Sequence, residues 1–147
     1  MGENKSKGNS EEKQNITLDA IMNSVREKVF GAYDLVVGIE RGGILPAYLA
    51  AQWLELPLKL ISTNDSAQRP QSDDSTLNSP WGDDARGRRI LLVDDVANTG
   101  ATLNRAAREL QGASLTTMVI SGDADISLFG PHERCIRWPW DKNNHVP

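Results

Sequence analysis

Two short segments carry residues whose types and spacing can do chemistry. The first is Asp94-Asp95 followed by Val96-Ala97-Asn98-Thr99-Gly100-Ala101-Thr102, directly after the apolar run 90–93. Carboxylates at the end of a hydrophobic strand leave a buried element at one fixed place. Two adjacent anions there suit sugar hydroxyls or a divalent cation, since oxygen is what Mg²⁺ takes. The bend that follows leads into a helix whose free N–H groups and positive dipole end attract an anion. Gly100 lets the backbone approach closely, and Thr99 and Thr102 add hydroxyl donors. The combination calls for a molecule that carries a phosphate one sugar away from a diol. An acidic pair ending a strand also occurs in phosphatases and receiver domains, and Thr-Gly-Ala-Thr alone is an ordinary helix start. The signal lies in the order: hydrophobic run, two acids, short spacer, Thr-Gly-x-Thr. The second segment is Glu40-Arg41-Gly42-Gly43, which leaves another short apolar run at 34–39.

These segments need elements to hold them. Leu18, Ile21, Met22, Val25 and Val29 recur at helical spacing, with Thr17 as N-cap and Gly31 as the stop. The β-branched run 34–39 reads as a doubly buried parallel strand. A helix over 44–56, with Pro46 in its first turn, and a strand over 58–62 follow. Residues 63–89 are Asn, Asp, Ser, Gln, Pro and Gly with few large apolar residues, the composition of a mobile functional loop. A strand at 90–94, a helix carrying Leu103, Ala106, Ala107 and Leu110 with Gly112 as its stop, and strands at 115–121 and 135–138 complete the chain. The pattern is α/β: an open, mostly parallel sheet with helices on both faces. In such sheets ligands gather at the carboxyl ends of the strands, which both chemical segments leave.

Composition narrows the class further. The chain has 147 residues, 39% hydrophobic and 24% charged, as for a single globular domain. Residues 1–15 are too polar to order themselves and read as a disordered tail, leaving one domain over 16–147. Lys plus Arg number 16 and Asp plus Glu 20, a net charge of −4 that argues against a sequence-indifferent nucleic-acid binder. The single cysteine, Cys135, excludes an intramolecular disulfide, and no apolar run or leader points to a membrane or to secretion. A cytoplasmic protein is the expectation.

The stretch 92–102 resembles the phosphoribosyl-diphosphate (PRPP) motif of type I phosphoribosyltransferases. The stretch 37–47 resembles that family's pyrophosphate loop, especially in bacterial xanthine/guanine/hypoxanthine enzymes. The ending Ile136-Arg137-Trp138-Pro139-Trp140-Asp141 is similar to their C-terminal segment. The resemblance implies the family's fold and a Mg²⁺-dependent transfer of phosphoribosyl from PRPP to a nucleobase, of the purine-salvage type, releasing pyrophosphate. It implies that Asp94 and Asp95 hold the ribose hydroxyls, directly or through Mg²⁺, and that Ala97, Asn98, Thr99, Gly100, Ala101 and Thr102 cradle the 5′-phosphate. Arg41, Gly42 and Gly43 would hold pyrophosphate, with a cis Glu40–Arg41 peptide and loop 63–89 closing over the reactants. Asp94, Asp95, Asn98 and Arg41 are the catalytic candidates; Ile136, Trp138 and Trp140 are the base-binding ones. A homodimer or homotetramer is also implied.

The acceptor half departs from the family's pattern. Asn98 stands where 6-oxopurine enzymes carry an acid/base Asp, and an amide cannot exchange a proton near neutral pH. Ser121 stands near the place of a base-recognising Lys, and Cys135 at that of a stacking aromatic. Either the acceptor is not an ordinary 6-oxopurine, or Trp138, Trp140 or the loop recognises it. The two tryptophans are expected to face opposite sides of a strand, with one on the ligand. Arg69 in the loop is a candidate to reach pyrophosphate on closure. The alternative reading is a catalytically impaired regulatory protein that binds PRPP or a nucleotide.

Overall fold

The computed structural model describes residues 14–63, 84–131 and 136–142. Helix α1 (Leu18–Lys28) starts where Thr17 Oγ1 accepts from the Ala20 amide at 3.1 Å. Asp19 in its first turn and Arg26 and Lys28 in its last complement the dipole. It ends on Val29, two residues before the expected stop at Gly31. Strand β2 (Leu35–Ile39), helix α2 (Ile44–Leu54) and strand β3 (Leu58–Ile61) follow. Then come β4 (Arg89–Ala97), α3 (Ala101–Glu109), β5 (Ser114–Gly122) and β6 (Ile126–Ser127). A separate pair joins β1 (Gln14–Asn15) to β7 (Ile136–Arg137).

The main sheet has the order β3-β2-β4-β5-β6, and every pairing in it is parallel. Alternate residues of the central strands face two different cores. Val36, Leu91, Val93, Met118 and Ile120 pack with Ile21 and Val25 of α1 and Ala47, Ala50 and Ala51 of α2. Leu35, Val37, Ile39, Ile90, Leu92 and Val119 pack with Leu103, Ala106 and Leu110 of α3 and the adjoining turn. Helices therefore cover both faces, which is why these strands read as unbroken apolar runs. The α2 backbone comes in close because Gly38 has no Cβ; one there would lie 2.7 Å from Ala47 Cβ.

The connections set the place for a ligand. Strand β2 leads through α2 to β3 on one side, whereas β4 leads through α3 to β5 on the other. The crevice between the carboxyl ends of β2 and β4 is thus a topological switch point.

Several boundaries differ from the sequence reading. Gln14 and Asn15, assigned to the tail, pair with Ile136 and Arg137, because that short strand supplies hydrogen-bond partners no composition argument reveals. The acids of β4 lie inside the strand, which runs on to Ala97 and pairs with Gly122. The expected strand at 135–138 is only Ile136–Arg137 and lies outside the main sheet. Its edge position is taken by β6, too short to show a period. Of the expected loop 63–89, residues 64–83 lie outside the described residues, as do Arg69, Cys135 and the first 13 residues. Its end is ordered: Ala85 is buried in the α3-side core, and Lys59 Nζ meets Asp84 Oδ2 at 3.0 Å.

Candidate active site

Strand β2 delivers residues 40–43 to the switch point, and β4 with the start of α3 delivers residues 94–102. The first loop folds back on its own strand, the Gly43 amide donating to Ile39 O at 2.8 Å and the Ile44 amide to Arg41 O at 3.1 Å. The Glu40–Arg41 peptide is cis. Both glycines are required by contact. A Cβ on Gly42 would overlap the Asp95 carboxylate, and one on Gly43 would overlap Val93 O and come within 2.7 Å of Ile39 O. Arg41 is exposed and forms no ion pair with the described residues.

On β4, Asp94 is 6% exposed and Asp95 half-buried. Each carboxylate is oriented by the next amide: Asp95 N donates to Asp94 Oδ1 at 2.8 Å, and Val96 N to Asp95 Oδ1 at 2.7 Å. Burial, reinforced by the neighbouring Asp95 charge and only partly offset by that amide, pushes the Asp94 carboxyl up to about 7. Asp94 also lines a cleft of about 270 Å³ whose wall continues through Val96, Ala97, Asn98, Thr99, Gly100, Ala101, Thr102 and Leu103.

The floor of that cleft is the start of α3. Gly100 is its N-cap with φ +76°, a conformation that favours glycine. Gly100 brings no capping side chain of its own, and no acid occupies the first turn. Thr99 Oγ1 accepts from the Ala101 amide at 3.3 Å and keeps its own hydrogen to donate. The bend therefore offers amides and hydroxyls to an anion at the positive end of a helix.

The donor set bears on a cation. Among the described residues no group of three or more His, Cys, Asp or Glu side chains is arranged to cage a metal. Asp94 at the cleft and Asp95 next to it are instead a sparse, all-oxygen pair of the kind with which Mg²⁺ is held when substrate oxygens complete its shell. Asp94 and Asp95 fit that ion.

Asp94 and residues 97–102 thus line one cleft, Gly42 and Asp95 meet beside it, and of the acceptor-half residues only Asn98 reaches it. Asn98 is exposed at the cleft wall. Ser121 is 3% exposed and donates to Gly130 O at 3.3 Å, so its hydroxyl is committed to the backbone. Ile136 and Trp138 pack against the α1-side core and, with Trp140, line no part of the cleft. Trp138 and Trp140 do not face opposite sides. Their rings stack with centroids 5.1 Å apart and planes 5° from parallel. Residues two apart on a strand share a face in any case, and here the chain turns after Arg137, with Trp138 N donating to Asp141 Oδ2 at 2.9 Å. Sequence reasoning passed over Gly122, whose Cα presses on the Ala97 backbone; a glycine ending an apolar strand beside the phosphate loop was the signal.

The fold is an open parallel sheet with helices on both faces and a cleft at its topological switch point. The family model for the phosphoribosyl transferase domain matches residues 10–121. The chain is 35% identical over 121 residues to a xanthine-guanine phosphoribosyltransferase of Cereibacter sphaeroides, covering 76% of this chain and 71% of that enzyme. It is 34% identical over 114 residues to an adenine phosphoribosyltransferase of Mycobacterium avium, covering 70% of this chain but only 63% of that enzyme's length. The fold matches a purine phosphoribosyltransferase structure from Pyrococcus horikoshii with a TM-score of 0.66, 23% identity, and coverage of 92% of this chain and 98% of that one. The chain belongs to the type I phosphoribosyltransferase family.

Proposed function

We propose that this protein transfers the phosphoribosyl group of PRPP to a ring nitrogen of a nucleobase of the purine-salvage type, releasing pyrophosphate. The observation that carries this reading is the contact of Gly42 with Asp95, which brings the Arg-Gly-Gly loop against the acid pair, while Asp94 of that pair lines the cleft at the α3 N-terminus. The amides and hydroxyls of residues 98–102 hold the 5′-phosphate. The carboxylates of Asp94 and Asp95 accept from the ribose hydroxyls. Arg41 and the amides of Gly42 and Gly43 hold the pyrophosphate.

In the reaction the nitrogen forms a bond to C1 of the ribose while the C1–oxygen bond to pyrophosphate breaks and the proton of the ring nitrogen is lost to solvent. Positive charge grows on the sugar and negative charge on the leaving group. Asp95 and the deprotonated Asp94 stabilise the first, and Arg41 with the loop amides the second. Mg²⁺ bound at Asp94 and Asp95 would neutralise charge on the leaving oxygens. Release of pyrophosphate from PRPP, measured with a panel of purine and pyrimidine bases, tests the reading. No nucleotide from any base defeats it.

A second reading, a regulatory protein that binds PRPP or a nucleotide without turnover, is favoured by the acceptor half. Asn98 cannot act as acid or base near neutral pH, Ser121 is spent on Gly130, and the tryptophans are stacked on each other. Calorimetric PRPP binding with no pyrophosphate release under any acceptor distinguishes it.

A further inference from the structure

We infer that Gly42 is a positioning residue that acts on the sugar through Asp95, so that the pyrophosphate loop sets how well the ribose diol is held. The inference rests on the reading of Asp95 as a ribose-hydroxyl acceptor. Of the Asp95 carboxylate oxygens, Oδ1 is fixed by the Val96 amide at 2.7 Å, which alone leaves the group free to swing about that bond. Gly42 supplies the second boundary. An ideal Cβ there would overlap Oδ2 and Cγ and lie 2.7 Å from Oδ1, so the whole carboxylate is seated on the bare Cα. The seat itself does not yield, since Gly43 beside it is pressed between Val93 O and the Ile39 backbone. Any side chain at position 42 must displace the carboxylate away from the loop, or the loop away from β4. The 5′-phosphate contacts, which come from the far end of the motif at residues 99–102, are untouched by either movement.

The test measures binding of ribose 5-phosphate and of inorganic phosphate, with Mg²⁺ present, to the wild type, Gly42→Ala, Asp95→Ala and the double variant. Gly42→Ala should weaken ribose 5-phosphate about tenfold, the scale of a lost hydrogen bond to a charged acceptor, and leave the inorganic phosphate that binds at residues 99–102 unchanged. The double variant should lose no more than Asp95→Ala alone, because removing the carboxylate removes the atoms that the new Cβ meets. A Gly42→Ala protein with wild-type affinity for ribose 5-phosphate, or losses that multiply in the double variant, overturns the inference. Should Gly42→Ala not fold, the double variant must fold with the stability of Asp95→Ala; its failure to do so is equally decisive against it. A wild type that binds ribose 5-phosphate no tighter than inorganic phosphate overturns the reading of the site, and this inference with it.

Discussion

Asp95 donates its backbone amide to Asp94 Oδ1 at 2.8 Å while its own carboxylate raises the energy of an Asp94 anion. Burial outweighs the favourable amide, so the Asp94 carboxyl is held at about 7, against an ordinary value of 3.8. The folded protein therefore binds a proton between about pH 4 and 7 that the unfolded chain has lost. Stability should fall as pH rises through that window and level off above it. Asp94→Asn removes the penalty, which is at most about 4 kcal/mol for a shift of this size. In metal-free buffer with a chelator, thermal unfolding should show a raised Tm for Asp94→Asn at pH 8 and little difference at pH 4. A lower Tm at pH 8 would mean that the carboxylate is better solvated than its burial indicates.

The uncapped start of α3 makes opposite predictions for stability and for binding. Thr102 is exposed in a first turn that holds no acid. Thr102→Asp places a negative charge beside the helix dipole and should stabilise the protein by about 0.3–1 kcal/mol. The same charge stands where the phosphate must sit, so affinity for ribose 5-phosphate should drop at least about tenfold by like-charge repulsion in a partly dry site. Tm and calorimetry on one preparation check both signs. A stabilised variant that still binds as the wild type would put the phosphate elsewhere.

The placement of residues 94–102 at one strand end and helix start is legible in the sequence because it is local. Nine consecutive residues, 94–102, carry the acids, the glycine and the helix start, and one strand end fixes them. The Arg-Gly-Gly loop was legible for the same reason. What could not be read is the contact between Gly42 and Asp95, which depends on β2 and β4 being neighbours although 53 positions separate the two residues. The acceptor half failed for a related reason. Trp138 and Trp140 were assigned to a strand of the sheet, but only Ile136 and Arg137 find a pairing partner, and that partner is the short strand at Gln14 and Asn15. A two-residue strand leaves no period in a sequence, and an aromatic pair closed by a turn looks like an alternating strand until the backbone is seen.

The stacked tryptophans are predicted to be a structural clasp for that C-terminal turn. Trp138 is half-buried on the α1-side core and Trp140 covers its outer face, 38% exposed. Trp140→Ala should cost about 1 kcal/mol, the increment of an aromatic pair beyond the area it covers, read as a lower midpoint in denaturant. PRPP affinity should stay within about twofold of the wild type, since a distant, non-coupled site adds independently. A large loss of affinity for a base, with stability unchanged, would assign Trp140 to the acceptor instead.

Asn98 is predicted to decide which acceptors can react. Its side chain stands exposed at the cleft wall and can donate or accept a hydrogen bond without changing protonation. A base whose reacting nitrogen carries a proton at neutral pH needs that proton removed as the bond to C1 forms. General-base assistance of this kind contributes about 10²–10⁴-fold. Asn98→Asp restores a titratable group at the same position with one atom changed and no added volume. With 6-oxopurines as acceptors, pyrophosphate release by Asn98→Asp should rise at least about tenfold over the wild type. The gain should appear in kcat rather than in KM for PRPP, because the substitution alters proton transfer and not the donor contacts. It should also bring a rise in rate with pH as the new carboxyl ionises. If the variant releases no more pyrophosphate than the wild type, the defect lies beyond a missing base, in the committed Ser121 hydroxyl or the closed tryptophan pair, and the regulatory reading gains.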